Sequence, residues 1–107
     1  MGQEAPFDAV LLSQARLGVV SVLVARPSVT FSDLKALLGL TQGNLGLHLR
    51  QLEEAGYVLV KKEFVARKPR TTYRLSARGR RAFLDHVTRL QSIAADAHKP
   101  STAEGGT

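Results

Sequence analysis

The sequence predicts a mostly helical α+β domain, and three observations carry that reading. Two short amphipathic segments lie only Gly39-Leu40 apart, each opened by a threonine able to cap a helix. Downstream of them the apolar period changes from helical to two, over a stretch rich in Val, Tyr and Thr. The positive charge of the chain is concentrated where that period changes.

The first periodic segment covers residues 7–25, where Val10, Leu11, Leu17, Val20, Leu23 and Val24 put apolar side chains on most sides of a helix. Such a helix requires burial on two sides. Its β-branched content leaves a strand open from Leu17 onward, but the length favours a helix. Arg26-Pro27-Ser28 ends it. Thr30-Phe31-Ser32-Asp33 has the form of a capping box: the Thr30 hydroxyl satisfies a free N–H of the first turn, and Asp33 suits the positive helix end. Val29 and Leu34 supply the apolar staple, and the helix over 31–38 stops at Gly39, which easily takes the left-handed cap. Thr41 caps the next helix, with Leu40 and Leu45 as staple and Leu45, Leu49 and Leu52 on one face; Gly56 closes it. Two capped helices this close form a tight helix-turn-helix unit.

Residues 57–64 then read as one strand and 71–75 as its partner, joined by 65–70 as a basic hairpin tip stiffened by Pro69. Ser76 caps a last helix reaching residue 97, in which Phe83, Val87, Leu90, Ala94 and Ala97 alternate in spacing between four and three, a coiled-coil-like stripe. The predicted organisation is an N-terminal arm (1–6), one domain (7–97) whose last helix (76–97) mediates dimerisation, and a disordered tail (98–107). This order is that of a winged helix-turn-helix: a three-helix core, a β-hairpin wing and a C-terminal dimerisation helix.

Composition bounds the function. The chain has 107 residues, 44% apolar and 22% charged, with 15 basic against 9 acidic side chains. That is one small soluble domain, too short for a cleft between two domains, and subunit association would enlarge its thin core. The absence of cysteine excludes a disulfide scaffold, a thiol nucleophile and a thiolate metal site. His48, His86 and His98 lack metal-ligand spacing, and neither a glycine-rich phosphate loop nor a paired-acid motif occurs. The expectation is therefore a protein that is not an enzyme and carries no metal or cofactor. The longest apolar stretch, 17–25, is about half a membrane span and is broken by Gly18 and Ser21. The start MGQEAPFD has no secretory pattern, so a cytoplasmic, nucleoid-associated protein is expected.

Charge location says more than its total of +6. Residues 1–60 and 82–107 each carry a net −1, whereas 61–81 carry Lys61, Lys62, Arg67, Lys68, Arg70, Arg74, Arg78, Arg80 and Arg81 against Glu63 alone. A block of this kind attracts a polyanion, nucleic acid or an acidic membrane surface. Its interruption by Phe64, Val65, Tyr73 and Leu75 argues for a folded, half-buried surface over a solvated tail.

The runs Phe31-x-x-Leu34-x-x-Leu37-Leu38-Gly39-Leu40-Thr41-x-Gly43-Asn44-Leu45, His48-Leu49-x-x-Leu52-Glu53-x-Ala55-Gly56-Tyr57-Val58 and Lys62-x-Phe64-x-x-Arg67-x-Pro69-Arg70-Thr71-x-Tyr73 resemble the small bacterial and archaeal winged-helix transcriptional regulators related to the MarR and ArsR groups. The resemblance covers residues 17–83. It implies a homodimeric transcription factor, a repressor, whose third helix enters the major groove of double-stranded DNA while the wing reaches the flanking backbone or minor groove. It also implies a dimer built from the first and last helices, through Val10, Leu11, Phe83, Val87, Leu90 and Ala94. With no metal or redox residues, an inducer would be a small-molecule effector held at the dimer interface.

The residues agree with this reading. With Leu45, Leu49 and Leu52 turned inward, the recognition helix offers Thr41, Gln42, Gly43, Asn44, Leu47 and Arg50, with Gln51 also outward. Gln42 and Asn44 suit a base edge and the first N–H groups suit a phosphate, unless Asn44 is spent on capping. Arg50 reaches phosphate or pairs with Glu53 or Glu54, and His48 reads as partly buried packing. In the wing, Lys62, Arg67, Lys68, Arg70 and Thr71 are the backbone or minor-groove candidates. Gly46 and Leu47 depart from the polar pair usual in similar proteins. Leu47 offers only an apolar contact, such as a thymine methyl, and Gly46 weakens the helix by roughly 1 kcal/mol relative to alanine. The competing function is a protein- or RNA-binding module, for which an exposed Leu47 would serve.

Overall fold

Two polar caps divide the N-terminal segment. In the computed structural model, which describes residues 7–98, the Asp8 carboxylate accepts from the Val10 N–H at 3.0 Å and opens a 3-10 turn, Ala9–Leu12. Ser13, in extended backbone, accepts from the Arg16 N–H at 3.2 Å and opens α1, Gln14–Ala25. The single helix expected over 7–25 is thus corrected to a turn and a helix, because each side-chain oxygen offers the backbone a new start that the apolar pattern does not reveal. The expected arm, 1–6, and all of the expected tail beyond His98 lie outside the described residues.

α1 packs against α2, α3, α4 and a strand of the sheet, which accounts for apolar side chains around most of its circumference. After it the chain forms β1 (Val29–Thr30), α2 (Phe31–Leu38), α3 (Gln42–Glu54), β2 (Val58–Val65), β3 (Lys68–Leu75) and α4 (Ala77–His98). The caps are those expected: Thr30 Oγ1 accepts from the Asp33 N–H at 3.0 Å, and Thr41 Oγ1 from the Asn44 N–H at 3.2 Å. Gly39 ends α2 in the left-handed region at φ 64°. α3 ends in a Schellman arrangement: Gly56, at φ 79°, lets its own N–H reach the Glu53 carbonyl at 2.9 Å and that of Tyr57 reach the Leu52 carbonyl at 3.0 Å.

The sheet is antiparallel in the order β1-β3-β2. β1 was not foreseen; Val29 pairs with Tyr73 and Thr30 with Thr72, closing the sheet between α1 and α2. The hairpin is also tighter than expected. Only Ala66 and Arg67 form the turn, at φ 53° and 67°, and pairing runs unbroken from Val58↔Leu75 to Val65↔Lys68. Both turn residues lie in the left-handed region that a two-residue hairpin of matching twist requires. Pro69 therefore sits in β3 opposite Phe64 rather than at the tip, and its missing N–H falls on the side away from β2.

The core is one cluster of Leu11, Val19, Val20, Leu23, Val29, Leu34, Leu45, Leu49, Leu52, Val58 and Tyr73. α4 starts under Ser76, whose Oγ accepts from the Gly79 N–H at 2.9 Å and donates to the Gly56 carbonyl at 2.6 Å, tying the helix start to the end of α3. Ala82 and Phe83 pack on the core, whereas every residue from Leu90 to His98 is exposed in the protomer. Leu11, expected in a dimer interface, is only 1% exposed inside the protomer: breaking the helix at Ser13 turns it inward.

Candidate nucleic-acid interface

α3 separates its two faces cleanly. Leu45, Leu49 and Leu52 are buried, while Thr41, Gln42, Gly43, Asn44, Leu47 and Arg50 are exposed, Leu47 to 51%. The cap is made by Thr41, and Asn44 contributes its backbone N–H, leaving the Asn44 carboxamide outside the capping contact and exposed. Arg50 forms no ion pair with Glu53 or Glu54 among the described residues. Gln51, read from the sequence as outward, is exposed, and its Oε1 also accepts from Arg16 Nη1 at 2.5 Å, beside His48 Nδ1 at 3.2 Å from the same nitrogen. An arginine only donates, so in this contact His48 Nδ1 is the acceptor.

The register of the hairpin assigns each wing residue to a face. Val58, Val60, Lys62 and Phe64 alternate with Leu59, Lys61, Glu63 and Val65, and their partners on β3 follow the same division. Lys62 and Thr71, a cross-strand pair, lie on the face that begins in the core and ends with Phe64 and Pro69. Lys68 and Arg70 share the opposite face with Lys61, Glu63, Thr72 and Arg74. Arg67 stands on the turn between the two faces. Lys61 and Glu63 form an exposed ion pair at 3.7 Å, of little energy.

Wing and helices meet in a groove of about 450 Å3 lined by Thr30, Phe31, Ser32, Gln42, Pro69, Arg70 and Thr71. It joins Gln42 of the recognition helix to Arg70 and Thr71 of the wing, across the first turn of α2. Phe31 packs against Tyr73 with ring centroids 6.4 Å apart, which holds the wing base to the start of α2. Burial, and then the nearby Glu53 charge, push the Tyr73 hydroxyl pKa up, so the ring anchors the groove in its neutral form. An extended anion fits this arrangement: helix N-termini on one wall, with their free N–H groups and positive dipole ends, and a basic hairpin on the other.

A model of the winged helix DNA-binding domain matches residues 15–94. The chain belongs to the winged helix DNA-binding domain family. It is 32% identical over 81 residues to an uncharacterized protein of Methanocaldococcus jannaschii, a match covering 76% of this chain and 88% of that one. The structure of a transcriptional regulator homologue from Pyrococcus horikoshii OT3 superposes with a TM-score of 0.78 at 30% identity, over 84% of this chain and 89% of that chain. MarR shares the fold at a TM-score of 0.66 and 18% identity, over 84% of this chain and 67% of its own. Family and fold are thus those of DNA-binding transcriptional regulators.

In this winged helix domain the basic block of the sequence is divided in two. Lys61 to Arg74 belong to the wing, while Arg78 and Arg81 turn to a second cleft, of about 350 Å3, between the N-terminal segment and α4. There Tyr57 donates a short hydrogen bond to Asp8, and His86, 5% exposed, leaves Nδ1 without a partner. Phe7 stands edge-on to His86 and carries Arg89 over its ring at 5.3 Å. Thr30 and Ser32, which line the groove between the wing and the helices, were read from the sequence only as capping-box residues; their place in the groove follows from β3 folding back beside α2. No helix among the described residues is long and apolar enough to cross a membrane.

Proposed function

We propose that this winged helix protein is a cytoplasmic, nucleoid-associated, sequence-specific transcriptional repressor that binds double-stranded DNA as a homodimer. α3 enters the major groove and the wing lies on the flanking backbone and minor groove. The single observation that carries the reading is the groove shared by Gln42, Arg70 and Thr71, which makes recognition helix and wing one surface. On it, Gln42 and Asn44 address base edges, Thr41, Gly43 and the open N–H groups of α3 receive a phosphate, and Leu47 meets a thymine methyl. Arg50 lies about 12 Å further along the helix axis from Gln42, a distance suited to backbone contact. Lys62, Arg67, Lys68, Arg70 and Thr71 hold the phosphates on either side of the wing.

Dimerisation through Val10, Phe83, Val87, Leu90 and Ala94 is supported by the exposure of Leu90 (44%) and Ile93 (50%) on a helix that runs clear of its own core. A small-molecule effector would find polar and cationic groups in the cleft beside Tyr57, Arg78 and His86, next to this dimer face.

The test is fluorescence anisotropy on duplex DNA enriched from a random pool by the wild-type protein. Binding should fall steeply with salt, and charge reversal at Arg67, Lys68 and Arg70 together should flatten the slope by up to about 0.9 per lost phosphate contact. Unchanged binding in the triple variant removes the wing from the interface. A wild-type protein without salt-dependent DNA affinity would favour the module reading that rests on Leu47.

A further inference from the structure

Phe64 is the most exposed large apolar side chain of the described residues, at 76%. Its place is not a frayed loop. Pairing continues past it to Val65↔Lys68, the turn beyond is only Ala66 and Arg67, and its cross-strand partner is Pro69, whose φ is fixed by its ring. The hairpin therefore presents the phenyl ring from a stiff two-stranded arm. Phe64 also lies on the face shared with Lys62 and Thr71, and Pro69 beside it lines the groove that reaches α2 and Gln42. The ring thus shares a strand face with Pro69 and Thr71, two of the residues that line that groove.

Around it stand Lys61, Lys62, Arg67, Lys68 and Arg70, with Glu63 the only acid of the hairpin. An apolar side chain in such surroundings suits a polyanion that also offers flat apolar surface, which is the description of stacked base pairs flanked by phosphates.

We propose that Phe64, backed by Pro69, is a minor-groove wedge that enters a base step beside the site read by α3, partly unstacks it and bends the DNA. The proposal rests on the DNA-binding reading above. Arg67 leads into the groove from the turn, Lys62 and Arg70 hold the two backbones, and the ring follows between them. Pyrimidine–purine steps unstack most easily, so the protein should prefer such a step at the flank although no hydrogen bond reads it. In this way the wing contributes sequence preference through deformability, which offsets the modest readout of a recognition helix carrying Gly46 and Leu47.

The experiment uses the full chain and a short duplex enriched by the wild-type protein, with fluorophores at its ends and 2-aminopurine at the flanking pyrimidine–purine step. Wild type should raise energy transfer between the ends and raise 2-aminopurine emission. Phe64→Ala should lose both signals, bind about tenfold more weakly and keep its salt slope, since no charge is removed. Phe64→Leu should retain most of the bend. Because the side chain is exposed, the melting temperature of both variants should match wild type. A Phe64→Ala variant that bends and unstacks the duplex as wild type does overturns the wedge and leaves the DNA-binding reading standing. A wild-type protein that binds no duplex overturns the DNA-binding reading and the wedge together.

Discussion

Arg16 of α1 donates from Nη1 to Gln51 Oε1 of α3 at 2.5 Å, while its Nε donates to the Val10 carbonyl at 2.7 Å. One guanidinium thereby ties the N-terminal turn, the first helix and the recognition helix together. Arg16→Ala is expected to destabilise the fold by about 0.5–1.5 kcal/mol, chiefly because the part-buried Val10 carbonyl loses its partner, whereas the exposed Gln51 carboxamide turns to water. Arg16→Lys should not restore the loss, since a point charge cannot span two acceptors as the planar fork does. Thermal denaturation of the three proteins checks this.

Gly79 sits where α4 crosses the end of α3. A Cβ there would lie 2.2 Å from the Tyr57 carbonyl oxygen and 2.8 Å from Leu75 Cδ1. The contact with the Tyr57 backbone carbonyl cannot be relieved by rotating a side chain, so Gly79→Ala should cost about 3 kcal/mol or more, or prevent folding. A variant with wild-type stability in urea would contradict the close approach.

Gly46 behaves in the opposite way. It is inside α3, and an added Cβ meets nothing within 4 Å. Gly46→Ala should stabilise the protein by about 0.5–1 kcal/mol, through lower backbone entropy in the unfolded chain. A melting temperature raised by a few degrees is the expected result.

Tyr57 gives the stability a dependence on alkaline pH. Burial first, then the hydrogen bond to Asp8 and that residue's charge, push its pKa up to about 12 from the usual 10.0. The unfolded chain releases this proton at lower pH than the folded one, so the contribution is complete below about pH 10 and is lost as pH rises toward 12. Denaturant titrations across that range should show stability falling, and Tyr57→Phe should flatten the fall. Tyr73, also shifted upward, accounts for what remains.

The proposed dimer predicts a mass of two chains by light scattering. Leu90→Asp places a charge on the exposed stripe of α4 and should yield a monomer that keeps its fold, because Leu90 lies outside the protomer core. A monomeric wild type at micromolar concentration would overturn the dimer.

Legibility in the sequence followed the range of the interactions. Thr30, Thr41, Ser76, Gly39 and Gly56 act on neighbours a few residues away, so helix ends and the helix-turn-helix unit could be read directly. β1 could not, because Val29 and Thr30 are strand residues only by virtue of Tyr73 and Thr72, far along the chain. Pro69 reads as a loop residue until the Phe64↔Pro69 register places it in a strand. Nothing local to Arg16 shows that Gln51 becomes its acceptor, because that contact exists only once α3 packs on α1.

The candidate site divides likewise. Residue types, the exposed face of α3 and the basic wing are properties of period and charge, which the sequence by itself determines: an amphipathic helix must turn its leucines inward, and a strand must alternate. Which wing residues share a face, Lys62, Phe64 and Thr71 on one and Lys68 and Arg70 on the other, was decided by the tertiary structure. So were the engagement of Gln51 and the groove between Gln42 and Arg70. A one-residue change of register turns every side chain of a strand to the other face, and register is set by long-range packing that local sequence does not encode.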